Sequence, residues 1–420
     1  DIDYLFLTHA HFDHCGRIPL LVKKGFRGKI ISTQPTRDLT RIILLDSVKL
    51  QREGYERSAQ KIKIKNGSHP EGDIFTLKKP MYDEQDVHKA MELFQVYSYG
   101  RSVDLNNCLE FRMRDAGHIL GSSIFEFWVH DKNQRPRKLV FSGDLGQPGQ
   151  RIIRDPDMIR DADYVIVEST YGDRLHKNKD ETVLELLKIL TEARDTSSNV
   201  VIPTFAIERT QELLYELNLF YEKGLIENMP VYLDSPMAIE ATEVFKQYPT
   251  FYDEDAKRLL EKGDNPFEFN EFKNTGDVED SKRLAGKKGI VIMAGSGMCT
   301  GGRVLHHLKN NIENENSHIV FVGFQVKGTL GRDIVDGAST VEIHGKKFTV
   351  KSQVHTLGGF SAHGDKRDLE YWLRGYGRSP KLIILVHGEE SVVNSFANNI
   401  KQEMHVDTFV PKLNEKVEIE

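Results

Sequence analysis

The segment His9-Ala10-His11-Phe12-Asp13-His14 follows a short apolar run, residues 4–8, that has the length and composition of a β-strand. Side chains two residues apart in an extended chain point to the same side, so His9 and His11 can reach one metal ion. Asp13 and His14 turn away and can serve a second ion. Neutral imidazole and carboxylate groups suit zinc, and also manganese or iron. A chance match anywhere in the chain has a probability on the order of 10⁻³, which favours a metal site.

Three further segments end an apolar run with a residue type that binds metals. They are Gly117-His118, Ser142-Gly143-Asp144 and Val386-His387. Functional residues in α/β folds gather where a strand passes into a loop. Taken alone, each segment is explained equally well by a hydrogen-bonded loop histidine or a turn aspartate.

Apolar runs of strand length alternate with amphipathic helical patterns along almost the whole chain, which indicates an α/β fold. Leu109, Phe111 and Met113 alternate with charged residues, as in a sheet with one buried face. Helices are predicted over residues 183–194, 208–224 and 393–400. The polar and basic segment 54–72 is predicted to form a loop or lid, and the charged segment 263–287 a surface excursion.

The composition is that of a globular protein of two or three domains, with 39% hydrophobic and 29% charged residues among 420. No apolar run approaches the roughly 18 residues that a membrane helix needs, so no membrane association is expected. Three scattered cysteines cannot form a disulfide framework, which favours the cytoplasm. The net charge is −6, so any contact with nucleic acid must use a local basic patch.

The order of the motifs resembles the metallo-β-lactamase fold superfamily. The resemblance implies that one metal is held by His9, His11, His118 and Asp144. It implies that a second metal is held by Asp13, His14 and Asp144, with the aspartate of the Ser-Gly-Asp segment as the bridge.

Three downstream segments narrow the resemblance to the β-CASP nucleases, the group of the pre-mRNA 3′-end cleavage endonuclease and its bacterial and archaeal relatives. They look like motifs A, B and C of that group: Glu168-Ser169-Thr170-Tyr171-Gly172, Ser361-Ala362-His363-Gly364-Asp365 and Val386-His387-Gly388-Glu389. His387 would complete the second metal site. Motif C is a histidine in members that process RNA and a valine in members that repair DNA, so it points to single-stranded RNA.

The implied fold is an αββα sandwich with an inserted β-CASP α/β domain. Residues 1–174 and 339–420 would form the metallo-β-lactamase sandwich, and residues 175–338 the β-CASP cap, with the active site between them. We expect that the first strands of the sandwich precede residue 1.

The implied chemistry is a ribonuclease, acting as an endonuclease, a 5′-to-3′ exonuclease or both. Two divalent ions, expected to be zinc, would activate one water and clamp a phosphodiester, which gives 5′-phosphate and 3′-hydroxyl products. Asp13, Glu168 and His363 are the predicted catalytic residues. His363 would be the general acid and Glu168 its partner, because a carboxylate keeps a neighbouring imidazole protonated. The alternative is that His363 only caps the following helix.

Substrate contacts are predicted for Arg209, Arg303, Arg332 and Ser361. A guanidinium group binds phosphate bidentately, although these arginines could instead pair with carboxylates of the cap. The glycine-rich loop 295–303 could cradle a phosphate or form a plain tight turn. Phe205 and Phe324 are predicted to be core residues, and Cys15 and Cys299 small buried residues.

Two other functions compete with the ribonuclease hypothesis. A small-molecule ester or thioester hydrolase of the same fold would normally lack the long insertion and the Glu168–His363 pair. A catalytically inactive RNA-binding scaffold would normally have lost metal ligands, whereas all seven predicted positions hold ligand-type residues. The prediction also admits a homodimer.

Overall fold

The computed structural model describes residues 2–66, 79–130 and 135–419. Its strands are β1 Tyr4–Phe6, β2 Lys29–Ser32, β3 Phe94–Val96, β4 Ser102–Asp104, β5 Leu109–Asp115, β6 Ser123–Val129, β7 Arg137–Phe141, β8 Tyr164–Val167, β9 Val200–Pro203, β10 Val231–Leu233, β11 Phe272–Asn274, β12 Val291–Ala294, β13 His318–Phe321, β14 Thr340–Ile343, β15 Lys346–Thr349, β16 Gln353–Thr356, β17 Leu382–Leu385 and β18 Thr408–Phe409. Its helices are α1 Phe12–Cys15, α2 Ile18–Lys23, α3 Gln34–Asn66, α4 Glu84–Glu92, α5 Lys179–Asp195, α6 Arg209–Glu222, α7 Pro236–Gln247, α8 Glu254–Glu261, α9 Val278–Arg283, α10 Val304–Asn311, α11 Leu330–Val335, α12 Lys366–Arg374 and α13 Glu390–Met404.

The sandwich is built from two sheets, a parallel one in the order β1-β2-β3 and a mixed one in the order β18-β17-β8-β7-β6-β5-β4. Aromatic side chains fill the space between them. The ring of Phe6 meets the ring of Phe111 edge to face at 5.4 Å and that of Phe127 at 4.7 Å. Phe111 and Met113 are fully buried, as the alternating pattern of this strand predicts. Helices α12 and α13 cover the other face of the mixed sheet with Trp372 and other apolar side chains.

The cap is built around a parallel sheet in the order β11-β10-β12-β9-β13-β16. Its central strands are continuous apolar runs, as expected where helices cover both faces of a parallel sheet. Leu186 of α5 and Leu213 of α6 lie on one face, and Val304 of α10 and Ile334 of α11 on the other.

The boundary of the cap predicted after residue 338 is wrong. Strand β16 pairs in parallel with β13 and therefore belongs to the sheet of the cap. The β14–β15 hairpin packs Val341 and Ile343 into the same hydrophobic cluster as Ile319. The chain thus returns to the sandwich only after Thr356.

The segment 54–72 is not a loop where the structure describes it, because α3 continues to Asn66. Its Glu, Arg, Gln and Lys residues are good helix formers despite their polarity, and one glycine costs only about 1 kcal/mol. Residues 67–72 lie outside the described residues. The segment 263–287 is not a plain surface excursion, because it contains β11 and α9 and buries Phe267 and Leu284 in the core of the cap. In the described ranges, no helix is both long and apolar enough to span a membrane.

Candidate metal centre and active site

The first group of ligand atoms comes from three chain segments that end at one point of the sandwich. His9 and His11 follow β1, His118 follows β5 and Asp144 follows β7. His9 Nε2 lies 3.4 Å from Asp144 Oδ2, and His118 Nε2 lies 3.0 Å from His11 Nδ1. Two ligands bound at about 2.1 Å with tetrahedral geometry are about 3.4 Å apart, so these separations suit one small ion.

The second group shares Asp144 with the first. Asp13 and His14 lie on α1, and His387 follows β17. Asp13 Oδ2 lies 3.4 Å from His14 Nε2 and 3.3 Å from His387 Nε2. Asp144 Oδ2 lies 3.4 Å from His14 Nε2, so one carboxylate contacts both groups. The structure thus brings all seven predicted metal ligands together.

The protonation of these groups fits metal binding. Burial lowers the pKa of His9 well below its usual range and that of His11 to about 4, so both imidazoles are neutral. Nε2 of His9 is buried without a hydrogen-bond partner. His118 Nδ1 lies 3.2 Å from the carbonyl oxygen of Ala362, so a proton on Nδ1 leaves Nε2 with a free lone pair. Buried polar atoms without partners are costly, and a cation would satisfy them.

The histidines of the second ligand group have raised pKa values. Burial by itself would lower the pKa of His14 and His387, but hydrogen bonds with Asp13 raise these values to about 10 and about 9. A metal ion must therefore displace protons from this group, and its binding is coupled to pH. Thr170 Oγ1 lies 3.0 Å from His387 Nδ1 and orients this ring. The sequence analysis missed Thr170, although it lies two residues after Glu168 in a quoted motif.

The half-buried His363 and the buried Glu168 form a pair beside the candidate metal ligands. His363 Nδ1 lies 3.1 Å from both carboxylate oxygens of Glu168. Glu168 is 1% exposed, and it also accepts a hydrogen bond of 2.6 Å from the backbone N–H of Leu145. The ring of His363 is centred 4.5 Å from that of His118. With Nδ1 directed at Glu168, Nε2 of His363 is the nitrogen left to act in the cleft.

The charge of this pair suits a general acid. Burial by itself would lower the pKa of His363, but the neighbouring Glu168 carboxylate outweighs it and raises the pKa. The capping alternative for His363 is wrong, because Asp365 caps α12 and forms a reciprocal capping box with Asp368. Ser361 lies against this pair, since the backbone N–H of His363 donates to Ser361 Oγ at 3.3 Å.

A cleft of about 890 Å³ lies between sandwich and cap over these residues. On the side of the cap it is lined by apolar side chains, among them Phe205, Met298 and Phe324. The prediction that Phe205 and Phe324 are core residues is wrong, because both are only half-buried and face the cleft. Phe205 follows β9, at the carboxyl end of a parallel sheet, where ligands usually bind. The position of Phe205 directly after an apolar strand was the feature of the sequence that could have predicted that its ring faces the cleft.

The predicted phosphate contacts of two arginines need correction. Arg209 is buried and paired with Glu212, and its Nη2 donates to Gln150 Oε1 at 2.9 Å. Arg303 donates to the fully buried Asp234 at 2.6 Å. Both are thus neutralised by carboxylates of the cap, as the alternative interpretation held. Arg332 is exposed and paired with Asp336 one turn along α11, and its predicted contact with RNA stays a prediction.

The two cysteines near the site are buried, as predicted. Burial raises the pKa of the Cys299 thiol to about 12 and raises that of Cys15 as well. A thiol with such a pKa is protonated at neutral pH and is a poor nucleophile. The chemistry of the cleft therefore depends on the histidines and carboxylates.

Comparisons with known proteins agree with this geometry. Residues 1–52 match the metallo-beta-lactamase superfamily, residues 210–334 the Beta-Casp domain, and residues 347–411 the Zn-dependent metallo-hydrolase RNA specificity domain. The Ribonuclease TTHA0252 of Thermus thermophilus is 36% identical over 93% of this chain and 82% of its own length.

Two archaeal relatives come from Methanocaldococcus jannaschii. An RNase J-like protein is 30% identical over 98% of this chain and 87% of its own length. The transcription termination factor FttA is 32% identical over 98% of this chain, which spans 62% of the length of that factor. These matches, together with the ligand geometry, show that the chain belongs to the β-CASP family of metal-dependent ribonucleases with the metallo-β-lactamase fold.

Proposed function

We propose that this protein hydrolyses phosphodiester bonds of single-stranded RNA with two divalent metal ions, zinc by preference, and leaves 5′-phosphate and 3′-hydroxyl ends. The observation that carries the proposal is the presence of two ligand groups, both in contact with Asp144, beside the His363–Glu168 pair. When bound, the ions supply Lewis-acid activation of water and of the phosphodiester.

The roles of the side chains follow from their positions. His9, His11, His118 and Asp144 would hold one ion, and Asp13, His14, His387 and Asp144 the other. His363 would donate the proton on Nε2 to the departing 3′-oxygen, and Glu168 would keep the imidazole charged until that step. Because no ribose hydroxyl takes part, no cyclic phosphate should form.

The choice of RNA rests on the named relatives and on the cleft. Two relatives are called ribonuclease and RNase J-like protein, and residues 347–411 match an RNA specificity domain. The aromatic rings of Phe205 and Phe324 face the cleft opposite the metal ligands, where exposed bases of a single strand can stack. Activity in the cytoplasm and assembly as a homodimer stay predictions.

The test combines metal analysis with a choice of substrates. Purified protein should contain two equivalents of metal per chain, and should cleave a 5′-labelled single-stranded RNA but not a thioester. Removal of the metal with a chelator should abolish cleavage, and added zinc should restore it. Folded protein that lacks metal, or that hydrolyses the thioester and leaves the RNA intact, would contradict the proposal.

A further inference from the structure

A buried ion pair of the cap lies at the boundary with the sandwich, near the active site. Arg209 and Glu212 lie in the first turn of α6, and their side chains are only 4% and 2% exposed. Lys179 Nζ also donates to Glu212, at 2.6 Å. Neither charge can face water, so both need fixed partners. This pair plays no part in the chemistry described above.

Arg209 reaches across the domain boundary to the segment that carries the proposed general acid. Its Nη1 donates to the carbonyl oxygen of Phe360, three residues before His363. Its Nη2 donates to Gln150 Oε1 at 2.9 Å, and Gln150 belongs to the sandwich. The guanidinium group thus holds a backbone carbonyl and a side-chain amide at fixed positions, which its planar fork geometry permits.

Gln150 extends the same chain of hydrogen bonds. Its Nε2 donates to the carbonyl oxygen of Ala362 at 3.3 Å and to that of Gly117 at 3.4 Å. The carbonyl oxygen of Ala362 also faces Nδ1 of His118, a metal ligand, at 3.2 Å. A continuous path therefore runs from the ion pair of the cap to one metal ligand and to the neighbour of His363.

The geometry points to Arg209 and Gln150 as positioning residues that lock residues 360–363 and so place His363 and His118; this inference rests on the proposed function. Residues 358–360 of the segment form one short 3₁₀ turn, and an isolated antiparallel bridge between Gly146 and His363 pairs the segment with the sandwich. The backbone N–H of Gln147 donates to the Ala362 carbonyl at 3.3 Å, so the side chains of Arg209 and Gln150 add to a short set of backbone hydrogen bonds in fixing these carbonyl groups. A reacting group misplaced by about 1 Å can lose 10²-fold in rate. Because neither residue need touch RNA, the loss should appear in kcat and not in KM.

A second ion pair, between the domains, provides a control for the alternative that the contacts of Arg209 only hold the two domains together. Arg151 of the sandwich donates to Glu216 at 2.8 Å, one helical turn further along α6. Arg151 and Glu216 thus cross the same interface as Gln150 and Arg209. If the contacts around Arg209 only held the domains together, variants at Glu216 and at Gln150 would behave alike.

The experiment compares Gln150→Leu and Arg209→Lys with Glu216→Gln, which breaks the pair with Arg151 without leaving a buried charge unpaired, because Arg151 is 38% exposed. Gln150→Leu removes the bridge without unpairing a buried charge, so folding is preserved. Arg209→Lys keeps the positive charge beside Glu212, but it lacks the planar guanidinium group that donates to both Gln150 and the carbonyl oxygen of Phe360. For each variant, kcat and KM on single-stranded RNA, metal content, and hydrogen–deuterium exchange of peptides covering residues 358–364 are measured.

We expect Gln150→Leu and Arg209→Lys to lower kcat about 10- to 100-fold with KM within about 3-fold and metal retained. Exchange in residues 358–364 should accelerate in both variants and stay at the wild-type rate in Glu216→Gln. Unchanged exchange in Gln150→Leu, or equal effects in Glu216→Gln, would overturn the positioning role. Wild-type protein that cleaves no RNA would instead refute the proposed function, and the exchange measurement would still decide whether the segment is locked.

Discussion

Replacing Glu168 with glutamine tests the proposed proton donor without removing it. Glutamine has nearly the same shape, and its amide oxygen can still accept the 2.6 Å hydrogen bond from the N–H of Leu145. What is lost is the negative charge 3.1 Å from His363 Nδ1. The substitution should therefore lower the pKa of His363 and leave its ring in place.

The size of the shift follows from Coulomb's law. Opposite unit charges at 4 Å attract by about 1 kcal/mol in water and about 4 kcal/mol at an effective dielectric constant near 20. One pKa unit corresponds to about 1.4 kcal/mol, so the loss should lower the pKa of His363 by about 1–3 units. Since Glu168 is 1% exposed, the shift should lie in the upper part of this range.

The assay is the initial rate of RNA cleavage between pH 6 and pH 10, at constant metal content. A general acid acts only while protonated, so the rate declines as the pH rises through its pKa. Glu168 raises that pKa, so Glu168→Gln should move the alkaline decline to lower pH by about 1–3 units. The control is Glu216→Gln, a buried carboxylate that pairs with Arg151 elsewhere. An alkaline decline that stays in place or moves to higher pH would refute the reasoning.

His363→Ala should keep both metals and slow RNA cleavage by about 10²–10⁴-fold. Cleavage of a substrate with an activated leaving group should be slowed much less by the same change. An equal loss of rate on both substrates would contradict the role of His363 as the general acid. Asp144→Asn should lower the metal content of folded protein from two equivalents to less than one, as measured by elemental analysis, because this carboxylate contacts both ligand groups. Chelation should lower the free energy of unfolding by about 4 kcal/mol for each metal site, relative to protein at a free zinc concentration 1,000 times Kd. An unchanged midpoint of thermal unfolding would show that the native state binds no metal.

The sequence predicts the site better than it predicts the boundaries of the fold. The cluster from His9 to His14 follows from local spacing, because short-range backbone geometry decides which side chains point together. His118, Asp144 and His387 could be added to the predicted ligands only through the resemblance to a known family, since each is equally well explained by a loop hydrogen bond. Strand β16 could not be predicted in the same way. Gln353, His355 and Thr356 are polar, and what makes the segment a strand is its pairing with β13, a contact that is not local in sequence.

The partners of the arginines are a second feature that could not be predicted from the sequence. A guanidinium group suits phosphate and carboxylate equally well, so residue type alone cannot decide the partner of Arg209 or Arg303. The partner depends on which carboxylates the fold buries nearby, Glu212 in one case and Asp234 in the other. The same holds for Phe205, whose apolar ring could have faced the core or the cleft.

The central claim is that RNA is hydrolysed by a water attacking phosphorus, with no part for the ribose hydroxyl. The most direct measurement is cleavage of a defined RNA in ¹⁸O-labelled water, followed by mass spectrometry of the product ends. The account predicts one ¹⁸O atom in a 5′-phosphate at each cut, together with an unlabelled 3′-hydroxyl. Products that carry 2′,3′-cyclic phosphate and 5′-hydroxyl ends, or the ¹⁸O label in the 3′-hydroxyl, would contradict it.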